Sequence, residues 1–322
     1  MKKSFLILTA FATLVACSKD EVVTSQPAQA IAFGDIFVEA PTRAAFDGSY
    51  NSGSLTSFEV YGTISNKNGA ANIFNQEEVT MKGSAWTYDE ANIQYWIPGN
   101  SYNFTAVVDG NASGTTSVGV DEYLMPTSIT MEDASQQKDV LLAKSKSIHF
   151  TEYSTASPVT FAFDHLMSKA KFSVKNSATT DDGYSYKVSG ITIKEVALNG
   201  VYDIASQTWN EAPTPATYDL LFGNAVTTGS EAGAAAESIG YGQTKESNYE
   251  RLLIPTFADE GATDITIELT YELFYQDAPV VTETKYLSAD VILEAGHAYN
   301  FVIDLSNLGK PAELTLTDEG EM

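Results

Sequence analysis

Ile265-Thr266-Ile267-Glu268-Leu269-Thr270-Tyr271 carries an apolar side chain at every second position and a polar one between. Successive side chains of an extended chain point to opposite faces, so this spacing builds one apolar face and one wet face. Wound into a helix, the same residues would scatter around the axis and leave no continuous stripe to bury. The segment therefore reads as a half-buried strand. Outward from it the same period recurs in Ile191 to Leu198 and in Tyr299-Asn300-Phe301-Val302-Ile303. Toward the N-terminus it returns in Phe58 to Ile64, where Gly62 weakens it, in Tyr102 to Val107, in Val159 to His165 and in Lys171 to Val174. No long stretch sustains a helical period, and 17 Tyr and 16 Phe favour a pleated, half-packed surface. The chain reads as all-β, in antiparallel sheets with one face buried.

The extreme N-terminus reads as a processing signal, outside the fold. Lys2 and Lys3 precede an apolar run from Phe5 to Ala16, too short to span a bilayer, which needs about 20 residues. The run closes on Leu14-Val15-Ala16-Cys17, the pattern of a bacterial lipobox. Cys17 is the single cysteine; its place directly after that run makes it the expected lipidation site, and no intrachain disulfide can form. More than one acyl chain on Cys17 would anchor the protein in a membrane. The remainder is long for one β-sandwich and suits two domains of ordinary size.

A formal net charge of -24 repels phosphate backbones and argues against nucleic acid as a partner. His149, His165 and His297 show no metal-ligand spacing, and no nucleophile elbow, Walker loop or dinucleotide fingerprint is present. The reading is of a protein that is not an enzyme and needs no cofactor or metal. Trp86, Trp96 and Trp209 are the residues a sugar-binding platform would use, with core or edge packing as the competing role.

Gly99-Asn100-Ser101-Tyr102-Asn103-Phe104 has a counterpart in Gly296-His297-Ala298-Tyr299-Asn300-Phe301, a glycine turn leading into a strand with rings on one face. The match suggests that a sandwich has been duplicated. Phe161 to Phe172, Ile191 to Gly200, Trp209 after a loop, Leu252-Leu253-Ile254-Pro255 and Gly296-His297-Ala298-Tyr299, in that order, resemble the fimbrillin family, including its anchor branch: subunits of Bacteroides-type (type V) pili.

That resemblance implies two transthyretin-like antiparallel β-sandwich domains in tandem. On this sequence it gives a signal peptide at 1–16, a lipidated prosegment at 17–43, sandwiches at 44–167 and 168–305, and a tail at 306–322. It also implies export to the cell surface as an outer-membrane lipoprotein, held by lipid through Cys17, and cutting by an arginine-specific surface protease. The prosegment would leave with the first strand, and a strand from another pilin subunit would fill the vacancy. Ile31, Phe33, Ile36 and Val38 are the apolar positions of that first strand, with a bulge expected at Gly34-Asp35. Thr42-Arg43-Ala44-Ala45 matches the family's cleavage site, which places the cut between Arg43 and Ala44. The chain has only one other arginine, Arg251, which begins the apolar run Leu252-Leu253-Ile254 and is expected to be protected by strand pairing. Ala312, Leu314 and Leu316 alternate and form the candidate donor strand, although the tail ends in acids and lacks an aromatic close. Stalk, tip and anchor positions all remain open on the sequence, and a monomeric glycan-binding surface lipoprotein is the rival reading.

Overall fold

A computed structural model describes residues 28–38, 55–144, 147–222, 226–227, 236–247, 249–307 and 314–321. In chain order the first strands are β1 (Phe33–Val38), β2 (Ser57–Asn66), β3 (Gly69–Lys82), β4 (Ala85–Thr87) and β5 (Asn100–Val108). Then follow β6 (Thr116–Val120), β7 (Pro126–Met131), β8 (Leu141–Lys144), β9 (Ile148–Phe150) and β10 (Val159–His165). The middle of the chain gives β11 (Ser168–Lys175), β12 (Tyr184–Ala197), β13 (Gly200–Asp203), β14 (Thr208–Glu211) and β15 (Thr217–Leu221). Two short strands, β16 (Val226–Thr227) and β17 (Ser238–Ile239), precede β18 (Thr244–Ser247) and β19 (Arg251–Leu253). The last are β20 (Thr263–Tyr275), β21 (Ala278–Val291), β22 (His297–Asp304) and β23 (Leu314–Glu321). Apart from short 3-10 turns, the described residues hold no helix, as the period-two reading expects.

Four sheets result. The first runs β1-β10-β8-β5-β2-β3-β4, with β9 beside β5. The second runs β14-β13-β7-β6, the third β15-β12-β20-β21 with β17 beside β12, and the fourth β16-β18-β11-β22-β23 with β19 beside β11. Most neighbours are antiparallel, but β1 pairs with β10 and β11 with β22 in parallel. Alternation reports which face a residue occupies and is silent on strand direction, so these two pairings lay beyond the sequence.

Three apolar clusters fill the layers. One gathers Phe33, Phe58, Phe74, Phe104, Phe161 and their neighbours inside the curled first sheet. Another lies between the third and fourth sheets around Phe172, Phe222, Ile267 and Phe301. The third joins residues of both halves, among them Tyr61, Met131, Met167, Tyr202, Trp209 and Leu252. Ile265, Ile267, Leu269 and Tyr271, the apolar side of the opening stretch, are all buried.

The six-residue match is a shared device that occupies different places in the sheets. Gly99 and Gly296 both take positive φ, 80° and 76°. In each copy the tyrosine hydroxyl accepts a backbone N–H from five residues upstream: Ile97 to Tyr102 at 2.6 Å and Glu294 to Tyr299 at 2.8 Å. Yet β5 lies antiparallel between β2 and β8, whereas β22 lies parallel to β11. The two parallel pairs are β1 with β10 and β11 with β22.

Two tyrosines, buried Tyr61 and half-buried Tyr218, shape the alkaline limb of stability. Burial pushes the Tyr61 hydroxyl up to about 12, against the partial relief of the Asn111 amide. Burial likewise pushes Tyr218 up to about 12, with Gln137 opposing. A raised acid pKa means the folded chain holds a proton that the unfolded chain has lost. The stability linked to both groups is thus complete below pH 10 and declines as pH climbs toward 12. The melting temperature should fall across that window, and Tyr61→Phe should make the fall shallower; an unchanged slope in that variant would contradict the assignment.

Candidate functional site: the first strand and its groove

The segment from Gln29 to Val38 is held in two stages. Its leading part bridges to residues 94–96: the Ile31 N–H donates to the Gln94 carbonyl at 2.8 Å, and the Trp96 N–H donates to the Gln29 carbonyl at 2.9 Å. The Tyr88 hydroxyl caps the Ile31 carbonyl at 2.7 Å, and the Ala156 N–H donates to the Gln29 side chain at 2.7 Å. Its later part, β1, pairs with β10 in the register Phe33↔Val159, Ile36↔Phe161 and Val38↔Phe163. The register shifts between Phe33 and Ile36, which is where Gly34-Asp35 changes the phase of the alternation. Gly34 is required there because a Cβ would lie 2.6 Å from the Pro158 Cβ.

The inward side of this strand is apolar. Ile31 is 1% and Phe33 4% exposed, Val38 is buried, and Ile36 is half-buried against the same core. Phe37 points the other way and is 57% exposed. Five rings surround Phe33: Phe58, Phe74, Tyr88, Phe104 and Phe161, with centroids 5.6 to 6.4 Å away. Aromatic pairs in such edge-on and offset arrangements add stability beyond the area they bury.

Among the described residues, only one edge of β1 is paired. β1 and β4 end the first sheet's order at opposite sides, yet they lie against one another, so the sheet curls round on itself. Beside the segment that leads into β1 lies a groove of about 840 Å³, lined by Ala30, Ile31, Trp86, Tyr88, Glu77 and Lys82 among others. Glu78, Asp89 and Glu90 also line it, and Lys82 is its single cation.

The other residues singled out in the sequence fall as follows. Cys17, Arg43, Ala44 and Ala312 lie outside the described residues. Arg251 begins β19, pairs with Ala170, donates its Nε–H to the Leu221 carbonyl at 3.0 Å and lies over the Tyr249 ring. Leu314 and Leu316 sit in β23, half-buried against the C-terminal core and paired with Ile303 and Phe301 of β22. β23 runs on through the acids to Glu321. There Asp318 meets His297 at 3.2 Å and Glu319 meets Lys171 at 3.2 Å.

Trp96 and Trp209 are buried in the core and Trp86 is half-buried at the groove, leaving no exposed tryptophan for a sugar platform. His165 is buried with its Nδ1 2.8 Å from Asp139 Oδ2, His149 Nδ1 lies 3.1 Å from the Ser101 hydroxyl, and His297 joins the β23 acids. Sequence reasoning missed the Asp139–His165 pair, because nothing local links residues so far apart. It also missed the Gly34–Pro158 contact, which depends on the parallel pairing.

The Fimbrillin-like family model matches residues 42–319. The chain belongs to the fimbrillin-like family. Solved structures show the same fold. A crystallised fimbrial protein from Bacteroides vulgatus is 16% identical and superposes with a TM-score of 0.64 over 91% of this chain and 99% of its own. A candidate cell adhesion protein from Bacteroides ovatus is 17% identical, with a TM-score of 0.51 over 92% and 98%. No curated protein sequence matches. In this fimbrillin-like chain no helix among the described residues is long and apolar enough to cross a membrane. The family match begins at residue 42, beyond β1.

Proposed function

We propose that this fimbrillin-like protein is a pilus subunit serving adhesion, exported as an outer-membrane surface lipoprotein through Cys17 and matured by an arginine-specific protease between Arg43 and Ala44. Cleavage releases residues 17–43 together with β1, and a strand from another pilin subunit takes the place of β1. The supporting observation is the combination found in β1: a strand that, among the described residues, is paired along one edge only, carrying Phe33 into the core. Its removal exposes the β10 backbone edge and a ring-lined cavity, both of which favour an incoming strand. In this reading residues 44–167 and 168–305 are two sandwiches, with the third apolar cluster at their junction. β23, with Leu314 and Leu316, is the candidate donor toward a further subunit, and stalk, anchor and tip remain the possible stations.

The cut is testable on the full chain. An arginine-specific protease should cleave the wild-type protein once, after Arg43, leaving Arg251 intact because it is paired within a sheet. Arg43→Ala should yield no early fragment by mass spectrometry. A first cut after Arg251, or equal cleavage of the variant, would remove the maturation step from the proposal.

A further inference from the structure

The groove vacated by β1 has a definite side-chain requirement. Along the inward side it takes Ile31, Phe33, Ile36 and Val38 in turn, with Gly34 pressed on Pro158 between the second and third. The second place is ring-lined, and all four are free of charge. Any replacement strand must supply four uncharged apolar side chains in that order, preferably with a ring in the second place.

The C-terminal strand of this same chain does not meet that requirement. Its alternating series is Lys310, Ala312, Leu314, Leu316, Asp318, three apolar residues bounded by charges. Laid on β1 with Leu314 at Ile31 and Leu316 at Phe33, it brings Thr317 onto Gly34, where even a plain Cβ meets Pro158 at 2.6 Å. Glu319 and Glu321 then fall at Ile36 and Val38. Without the bulge, the most favourable register in the direction of β1 seats Ala312, Leu314 and Leu316 and carries Asp318 to the buried place of Val38. Reversing the strand brings Asp318, Lys310 or Pro311 into the row. No register places a ring among the five that surround Phe33, because residues 310–321 contain none. Burying an unpaired carboxylate is strongly unfavourable, and the adjoining pocket at the Ile31 end is lined by Glu77, Glu78, Asp89 and Glu90 against one lysine. At home, by contrast, Asp318 and Glu319 lie beside His297 and Lys171.

We infer that the strand received in the β1 groove comes from a different protein chain, one presenting an aliphatic–aromatic–aliphatic–aliphatic inward row without carboxylates, and that this chain does not polymerise with itself. The inference rests on the strand-exchange reading above and names its partner.

The test uses the full chain nicked after Arg43, with labelled peptides added in excess. A peptide of residues 28–38 should exchange into the nicked chain. A peptide of residues 310–321 should need about a hundredfold higher concentration, the combined cost of an underfilled ring cavity and a buried charge. The latter peptide with L316F, T317G, E319I and E321V should recover most of the difference, and the nicked chain alone should stay monomeric in light scattering. Self-assembled ladders, or equal uptake of the two natural sequences, would overturn the partner assignment while leaving strand exchange standing. Failure of the 28–38 peptide to enter would bring down strand exchange itself, and the assignment with it.

Discussion

Phe33→Ala should destabilise the uncleaved protein by about 3 to 5 kcal/mol, the range for emptying a buried aromatic site. Phe33 is buried, and five rings would lose their common neighbour. The surrounding sheet is stiffened by paired strands and has little freedom to collapse into the space. Phe37→Ala is the matched control: same residue type, same strand, opposite face, and an expected change within about half a kcal/mol. Denaturant midpoints measure both. Amide exchange adds the local readout, since the Ile31 N–H and the Val159 N–H, which donates to the Ala32 carbonyl at 2.8 Å, should lose protection in the first variant alone. Equal midpoints for the two variants would mean that β1 contributes no core.

Trp209→Ala should cost a similar amount, about 3 to 5 kcal/mol, by a different route. Trp209 is buried in the cluster that joins residues from both halves of the chain, edge-on to Tyr202 at 5.6 Å. Its indole N–H donates to the Leu166 carbonyl at 2.7 Å, just before β11 begins. Alanine there removes the ring and leaves that carbonyl without its donor. Trp209→Phe keeps most of the bulk and should lose only the hydrogen bond, about 1 to 2 kcal/mol. If calorimetry found the phenylalanine variant as damaged as the alanine one, the polar contact would outweigh the packing. If both were silent, the cluster would not couple the halves.

Strand existence and facing were legible because side-chain period is a local property. Ile265 to Tyr271, Val159 to His165 and Tyr299 to Ile303 each show their buried face in the bare sequence. The phase break at Gly34-Asp35 was legible for the same reason. Strand direction was not, since parallel and antiparallel partners demand the same alternation, and the two parallel pairings join residues far apart in sequence. The repeated Gly-x-x-Tyr-x-Phe stretch led toward a shared position in two sandwiches because it encodes a turn and a tyrosine lock, which any strand can use. The fit of β23 to the β1 groove was hidden too: the acids at its end were visible, but the charge-free row they would have to occupy emerges only once β1 is seen seated.

The parallel union of β1 with β10 also has a meaning in time. Among the described residues the sheet partner of β1 is made far downstream, so the strand has little sheet to lie against until most of the chain has been made. The intervening strands must gather first, so the opening ribbon is among the last pieces to zip in. A piece that arrives late can be withdrawn with the least disturbance to what formed before it.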